Sequence, residues 1–319
     1  MAKEKEEVVL ITKDGIRHDG RKKDDLRDIS FQVGVLDRAD GSALITWGRN
    51  KILAAVYGPR ELHPKHMALP DRALIRCEYR MATFSVPDRK SPAPKRRERE
   101  ISKILAEALE PSIFNYLYPR SVIDVYINVL QADGGTRCAA IAVASLALAD
   151  AGIPLKDLVV GCAAGNLYDQ AVLDLDDVED KEGQGDMPLA YLPHIDEIVL
   201  LQSDGVFSPD LYKTALDMLI PACKKIYKLQ RDALKSKYSQ ITEEVADASG
   251  KEAKSKEKAK KEPAKPAKDG KKEAKKKTDD KKEKPGEKAA KKKKFSKKSD
   301  KKIDDEKKSS AKKEKDDKK

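Results

Sequence analysis

The first half of the chain contains short apolar runs, and residues typical of turns separate them. The runs are Phe31–Leu36, Ala43–Trp47 and Ile52–Tyr57. Between them, Asp40-Gly41 and Gly48–Asn50 suit tight turns, because glycine and asparagine tolerate the backbone angles that such turns require. The pattern predicts three short β-strands.

A fourth strand is predicted where every second residue of Arg72–Met81 lies on an apolar face. Side chains alternate between the two faces of a strand, so the opposite face carries three arginines, at every fourth position of the chain. These are Arg72, Arg76 and Arg80. Two interpretations stay open for them: an ordinary solvated face, or a face that contacts RNA.

In the second half of the chain the apolar spacing becomes helical. Apolar residues between Ile101 and Leu109 predict a helix that begins near Lys95 and is limited by Pro111. Thr136–Ala151 predicts an Ala-rich helix, and Ser208-Pro209 begins a last helix that runs to about Tyr238. Further strands are predicted at Val122–Leu130, Val159–Gly165, Ala171–Leu175, Leu189–Leu192 and Glu197–Leu201. Sheets with helices on one side indicate an α+β fold, a two-layer α/β sandwich.

Charge divides the chain near residue 240. The protein has 66 basic and 55 acidic residues, a formal net charge of +11. Residues 241–319 hold 32 lysines against 19 acidic residues, which is +13, so the preceding residues carry −2. Few apolar residues other than alanine occur in this segment, so we expect a disordered Lys/Glu/Asp-rich tail at 241–319. Residues 17–240 then form one globular domain, preceded by an N-terminal extension at 1–16.

The tail has two possible roles. Its lysines and acids largely compensate one another, as in a solubilising extension. Alternatively, it is an electrostatic antenna for RNA, strongest at Lys291–Lys298, where six lysines surround Phe295 and Ser296. Mixed charge weakens counterion release, which favours the first interpretation.

Cellular location is indicated by the apolar runs and the cysteines. The longest apolar run, Cys138–Ala149, is shorter than the roughly 20 residues that cross a bilayer. The N-terminus lacks the basic-then-apolar order of a signal peptide. The four cysteines form no CxxC pair and mostly have apolar neighbours, which predicts buried free thiols in a reducing compartment. We expect a soluble cytoplasmic protein with no membrane association.

A candidate anion site lies at the junction between the strand Val122–Leu130 and the Ala-rich helix. Gly134-Gly135 lets the backbone approach a ligand closely, and a helix start offers unpaired N–H groups at the positive end of the helix dipole. Thr136 adds a hydroxyl, and Arg137 adds a fork of donors suited to phosphate. The alternative is a plain tight turn in which Thr136 caps the helix.

Two further charged segments are candidates for chemistry. The basic run Lys95–Arg99 stands at a helix start, where cations oppose the helix dipole, so a phosphate-gripping role competes with a solvated surface. An acidic segment extends from Asp174 to Asp186. Crowded carboxylates repel one another unless they share a cation or a proton, so Asp180 and Asp186 are candidate Mg²⁺ ligands or acid catalysts. A plain acidic surface loop is the alternative.

Together these segments resemble the RNase PH family of phosphorolytic exoribonucleases, over about residues 17 to 238. The motifs that carry the resemblance are Asp19-Gly20-Arg21, Asp25-Leu26-Arg27, Arg97-x-x-Glu100-Ile101, Gly134-Gly135-Thr136-Arg137, Leu173-Asp174-Leu175, Glu179-Asp180 and Asp186-Met187. Within the family, Tyr57-Gly58-Pro59, His63–His66 and Asp186-Met187-Pro188 are similar to the catalytic ring subunit of the archaeal exosome. Because several separated motifs occur in order, the resemblance is specific.

The resemblance implies a role for each candidate site residue. Inorganic phosphate, the co-substrate, would bind at Gly135, Thr136 and Arg137, with Arg97 helping to hold it or the RNA. Asp180 and Asp186 would bind Mg²⁺ (or Mn²⁺) and assist proton transfer to the leaving 3′ oxygen, without a division of labour between them. Arg96, Lys65 and His66 would contact single-stranded RNA. The reaction releases nucleoside diphosphates from the 3′ end, or adds 3′ tails in reverse.

The resemblance also implies an assembly. The family forms six-membered rings, and the exosome version alternates the catalytic subunit with an inactive RNase PH-like partner as a trimer of heterodimers. RNA-binding cap subunits cover one face of that ring. Two alternatives stay open: a stand-alone RNase PH that trims transfer RNA 3′ ends, and a non-catalytic RNA-binding ring subunit.

Overall fold

The computed structural model describes residues 10–12 and 15–261, and their first sheet is built from the first half of the chain. Its strands are β1 (Ile29–Val33), β2 (Gly41–Trp47), β3 (Asn50–Glu61), β4 (Leu74–Met81) and β5 (Ser121–Gln131). They lie in the order β1-β2-β3-β5-β4. Only the β4–β5 pairing among them is parallel. All five strands were predicted from the sequence, and their bounds differ from the prediction at the ends.

Strand β4 has the alternating faces that its sequence predicts. Cys77 and Tyr79 are buried in the core. On the other face Arg76 donates to the Asp124 carboxylate at 2.6 Å, and Arg80 pairs with Glu78. Arg72 lies before the strand, 3.6 Å from Glu110. Because carboxylates accompany each arginine, the solvated-face interpretation is favoured over an RNA-contacting one.

Two helices pack on this sheet, α1 (Arg96–Leu109) and α2 (Thr136–Asp150). In α1 the backbone N–H of Lys95 donates to the Glu98 carboxylate at 2.9 Å, which satisfies one donor at the helix start. Helix α2 is apolar on all sides and is buried along almost its whole length. A helix without a polar face must be covered all round, and α2 accordingly contacts both sheets of the protein.

The second sheet covers the opposite side of α2. Its strands are β6 (Val160–Leu167), β7 (Gln170–Leu173), β8 (Gly185–Leu192), β9 (Glu197–Leu201) and β10 (Asp204–Gly205). The order is β10-β8-β6-β7, with β9 also paired to β8. Close packing on α2 requires a glycine in β6, because a Cβ at Gly161 would lie 2.6 Å from the Cys138 carbonyl oxygen. The α+β class with helices on sheets is confirmed.

The segment between β7 and β8 differs from the prediction of an acidic loop. A short helix, α3 (Asp177–Glu182), begins after Asp176, whose carboxylate accepts the N–H groups of Val178 and Glu179. Asp180 therefore lies on a helix. Strand β8 begins at Gly185, four residues before its predicted start, so Asp186 lies on a strand. The sequence alone does not identify Asp176 as the helix cap, because several of the residues around it are also acidic.

The last helix, α4 (Pro209–Lys261), begins as predicted but does not end near Tyr238. Its first half packs against the core through Leu211, Ala215, Leu219, Ala222 and Ile226. Beyond Tyr238 the sequence is rich in Ala, Lys and Glu, which favour helix, and no proline occurs before Pro263. The helix thus enters the predicted tail, whose remainder, 262–319 with Lys291–Lys298, lies outside the described residues.

Several smaller predictions can also be placed. Leu10 and Ile11, within the predicted N-terminal extension, are buried against Leu167, Val172 and Leu175. The four cysteines are buried and free, as predicted. Over the described part of the chain, no helix combines the length and the apolar content that a membrane crossing needs.

Candidate active site

One pocket collects the residues that the sequence singled out for phosphate and metal chemistry. It opens where α1, α2 and α3 begin, beside β8. Its lining includes Arg97, Gly135, Thr136, Arg137, Asp180 and Asp186. These residues come from four separate elements, so the fold brings together side chains up to about ninety positions apart in the sequence. Their chemical roles stay predictions at this point.

The floor of the pocket is the loop Gly134-Gly135. Both glycines have left-handed backbone angles, with φ of 68° and 65°. A Cβ at Gly134 would lie 2.7 Å from the Asp176 carbonyl oxygen, so a larger residue does not fit against α3. Asn50 holds the loop from below, since its amide donates to the Gly134 carbonyl at 2.6 Å and accepts the Asp133 N–H at 2.6 Å.

The start of α2 is left without a capping side chain. Its N-cap residue is Gly135, and Thr136 is the first helical residue, so the alternative in which Thr136 caps the helix is wrong. The Thr136 hydroxyl instead accepts a hydrogen bond of 2.9 Å from the buried Tyr79 hydroxyl. Burial raises the pKa of Tyr79, which keeps the phenol protonated and able to donate. The first-turn N–H groups of α2 are therefore open to an anion.

Arg137 is the cation at the centre of the pocket. Its Nη1 donates to the Gln202 side-chain oxygen at 2.6 Å. Its Nε is buried and has no hydrogen-bond partner within the described residues. An unsatisfied buried donor is costly, so a ligand oxygen at this position would stabilise the site. Arg97 lines the same pocket and is exposed. The observed donors thus fit a bound phosphate.

Asp180 and Asp186 stand opposite these donors. Burial raises the pKa of both carboxyl groups; the charge of Asp177 adds to the effect at Asp180, and the charge of Asp180 adds to it at Asp186. Arg97 and Arg137 only partly oppose these increases. In the described part of the chain, neither carboxylate forms an ion pair or a side-chain hydrogen bond. Mg²⁺ is commonly held by one or two carboxylates together with substrate phosphates, so this pair fits such an ion.

Three other acids of the segment, Asp174, Asp176 and Glu179, already have structural partners. Asp174 is buried, pairs with Arg27 at 2.6 Å and accepts the indole N–H of Trp47 at 2.9 Å. Glu179 is buried in an ion pair with Arg17. His18, Asp176 and Glu179 are close enough together to suggest a metal site. However, Asp176 caps α3 and Glu179 is taken by Arg17, so these carboxylates already have partners.

The predicted RNA contacts are divided between two places. Arg96 is exposed in a depression that adjoins the pocket and that Arg97 also lines. Lys65 and His66 are exposed on a short 3₁₀ turn after β3, and Lys65 pairs with Glu61 at 2.7 Å. Glu61 faces Ser121, at the far end of β5 from the pocket. Eleven residues of strand separate the two ends by roughly 33 Å, so these residues cannot contact a phosphate in the pocket.

Sequence reasoning missed several residues that shape the site. They are Asn50, Tyr79, Lys90, Gln202 and Asp204. Tyr79 was assigned to the buried face of β4, which is where it lies, but nothing in the pattern showed its hydroxyl reaching Thr136. Gln202 lies in the link between β9 and β10 and Asp204 lies on β10, so the positions of both depend on β10 pairing with β8. No local signal could have placed them.

Comparison with known sequences identifies the family of this chain. Residues 25–154 match domain 1 of the 3′ exoribonuclease family, and residues 157–218 match domain 2. The chain is 55% identical to the exosome complex component Rrp41 of Thermococcus onnurineus over 240 residues, covering 75% of this chain and 96% of that protein. It is 56% identical to the Rrp41 of Methanopyrus kandleri over 229 residues, covering 72% and 96%.

Solved structures show the same fold. The crystal structure of rice (Oryza sativa) Rrp46 superposes with a TM-score of 0.62 at 28% identity, covering 68% of this chain and all of that one. The Archaeoglobus fulgidus exosome with RNA bound to the active site gives a TM-score of 0.61 at 21% identity, covering 67% and 92%. With both of its domains matched in order, the chain belongs to the RNase PH family of 3′ exoribonucleases.

Proposed function

We propose that this protein is the catalytic subunit of an archaeal exosome, which shortens RNA from its 3′ end by phosphorolysis and releases nucleoside diphosphates. The observation that carries the proposal is the single pocket in which an open helix start and Arg137 face Asp180 and Asp186. The identity of over 50% with archaeal Rrp41 proteins supports the assignment to an exosome. In the reverse direction the same site adds 3′ tails from nucleoside diphosphates.

In this proposal the chain holds inorganic phosphate with groups that are already in position. The N–H groups of the first turn of α2, the Thr136 hydroxyl and the unpaired Nε of Arg137 provide the donors. Arg97 adds positive charge, because the attacking phosphate, the RNA phosphodiester and the leaving group are all anionic. The oxygen of the bound phosphate attacks the terminal phosphorus, and the bond from phosphorus to the 3′ oxygen of the shortened RNA breaks.

Asp180 and Asp186 are the proposed ligands of Mg²⁺ or Mn²⁺, an ion that would neutralise phosphate charge. The pKa of each carboxyl is raised, so each binds a proton more readily than an ordinary aspartate. In the proposal the pair also assists proton transfer to the leaving 3′ oxygen, without a division of labour between the two residues. Asp180 lies on α3 and Asp186 lies on β8, and both line the pocket.

The proposed assembly is a six-membered ring that alternates this chain with an inactive RNase PH-like subunit and carries RNA-binding cap subunits. Single-stranded RNA would reach the pocket past Arg96. Lys65 and His66, roughly 33 Å of strand from the pocket, would contact RNA at a separate point of its path. Backbone contacts of this kind tolerate any sequence. Buried free thiols fit the reducing cytoplasm as the proposed compartment.

The test is to measure products from a poly(A) substrate with and without inorganic phosphate. The full-length chain is purified together with the related subunit from its own organism. Phosphate-dependent release of nucleoside diphosphates is expected, and release of monophosphates without phosphate would overturn phosphorolysis. Co-purification of the related subunit distinguishes an exosome from a stand-alone homohexamer. No product under either condition would identify a non-catalytic ring subunit.

A further inference from the structure

The side-chain partner of Arg137 is a neutral amide, whereas two arginines of the interior pair with carboxylates. Arg27 and Arg17 both pair with carboxylates in the interior. Arg137 Nη1 instead donates to the side-chain oxygen of Gln202 at 2.6 Å, although Asp186 and Asp204 lie around the same depression. A neutral acceptor fixes the direction of a guanidinium without neutralising its charge.

Gln202 is itself held firmly. Its backbone N–H donates to the Pro188 carbonyl at 3.1 Å, which ties it to the strand that carries Asp186. It lies in the short link between β9 and β10, and Asp204 of β10 pairs in register with Asp186. The backbone of Gln202 therefore has a defined position beside the strand that carries Asp186, and its amide oxygen is within reach of Arg137.

Arg137 lines the pocket, and only one corner of its guanidinium has a hydrogen-bond partner among the described side chains. Gln202 takes Nη1, and the buried Nε is left without a partner in the described residues. Nε–H and one Nη–H form the parallel pair of donors that suits two oxygens of a phosphate. A free arginine side chain would have to be ordered by the ligand, at a cost in rotamer entropy.

We propose that Gln202 is a positioning residue for phosphate: it orients Arg137 so that the Nε edge meets the bound phosphate, and as a neutral group it preserves the full charge of Arg137. This inference rests on the proposed function, in which inorganic phosphate is the attacking co-substrate. It assigns to the β9–β10 link a role in phosphate affinity. RNA affinity depends instead on the proposed RNA contacts Arg96, Lys65 and His66.

The test uses Gln202→Met and Gln202→Glu in the full-length chain assembled with its related subunit. Methionine keeps the size and removes the amide acceptor, so the KM for inorganic phosphate should rise about tenfold, with kcat changed less than threefold. Glutamate keeps an acceptor but adds a charge that competes with phosphate for Arg137. Its KM for phosphate should therefore rise further than that of the methionine variant. The KM for RNA should stay within twofold in both.

A purely structural role gives a different result. It predicts that glutamate, equal in size and still an acceptor, behaves like the wild type, and that any loss follows the melting temperature. Ser203→Ala, at the exposed neighbouring position, is the matched control and should leave every constant unchanged. An unchanged KM for phosphate in Gln202→Met overturns the inference, as does Glu behaving like Gln. Absence of phosphate dependence in the wild type overturns the proposed function instead.

Discussion

Two clusters of arginine and carboxylate lie on either side of α3, and they differ in how their charges are satisfied. In the interior, Arg27 pairs with Asp174 and Arg17 pairs with Glu179. In the pocket, Asp180 and Asp186 have no ion pair within the described residues, and a donor of Arg137 is left over. Both carboxylates of the interior cluster already have a cation, whereas the carboxylates of the pocket have none among the described residues.

The difference between the clusters separates structural from functional residues of the same type. A paired and buried charge contributes to folding only while its partner is present. An unpaired charge at a pocket contributes little to folding, and natural proteins retain such a group where a ligand completes it. Each prediction below removes one member of a cluster and asks whether activity or stability changes.

The largest expected effect is on activity, in Asp180→Asn. Removing one carboxylate of the pair should lower kcat by about 10³-fold, equivalent to about 4 kcal/mol, because the ion and the proton that the site handles both depend on it. Phosphate-dependent release of nucleoside diphosphates measures the effect. Ring assembly and the free energy of unfolding should be unchanged. Glu182→Gln, an exposed carboxylate on the same helix, is the control and should keep activity. Asp180→Asn with full activity would contradict the pocket assignment.

The next effect is on stability, in Arg27→Met. This change leaves the buried Asp174 with only the more distant cation of Arg21, at 3.6 Å, and should lower the free energy of unfolding by about 3–5 kcal/mol, measured by denaturant unfolding. Adding Asp174→Asn should restore part of the loss, because the amide oxygen still accepts from Trp47. A loss of activity without a loss of stability would place Arg27 in the other cluster.

The same pair predicts a dependence on pH. Burial alone would raise the pKa of Asp174, but the charge of Arg27 and the hydrogen bonds to it lower the pKa below 3.8. A carboxyl whose pKa is lowered by folding stabilises the protein above its unfolded pKa, and loses that contribution as the pH falls through the folded value. The stability contributed by the pair should thus be present near neutrality and disappear below about pH 4. In Arg27→Met this part of the acid dependence should be absent.

The smallest effect is expected on the exposed face of β4. Arg76 and Asp124 form an ion pair of 2.6 Å, with the arginine half exposed to solvent. Arg76→Ala should change the free energy of unfolding by less than about 1 kcal/mol, since exposed pairs are screened by water and salt. Affinity for RNA at low salt should also be unchanged. A clear fall in that affinity would revive the RNA-contacting interpretation of this face.

Much of the fold follows from local patterns. Period-two alternation located β4 and the apolar runs located β2, β5 and β9, while helical spacing and turn chemistry located α1, α2 and the start of α4. The patterns did not reveal α3, because its capping residue Asp176 is one acid among several. They also ended α4 too early, because the loss of apolar residues after Tyr238 was taken as the end of the helix, although Ala, Lys and Glu continue it.

The site was predictable where a motif carried it and not where tertiary contacts did. Residue type and spacing singled out the glycine loop, the basic run Lys95–Arg99 and the two aspartates, and the family resemblance selected Arg97 within that run. These residues meet in one pocket. The sequence could not show that Asp174 and Glu179 form ion pairs, because their partners Arg27 and Arg17 lie about 150 residues earlier. Gln202 and Tyr79 were missed for the same reason: each reaches the loop from another strand or link.

The burial of α2 affects how much of a ligand's binding free energy is needed to order the site. The helix that begins at the glycine loop is enclosed by both sheets, so its first turn cannot open without exposing the shared core of the protein. The hydrogen-bonded amide hydrogens of α2 beyond its first turn should accordingly exchange with solvent only through global unfolding. A ligand that binds there meets groups that folding has already ordered, and little of its affinity is lost in organising them. The same packing that stabilises the core therefore also keeps the N–H groups of the anion site in position before a ligand binds.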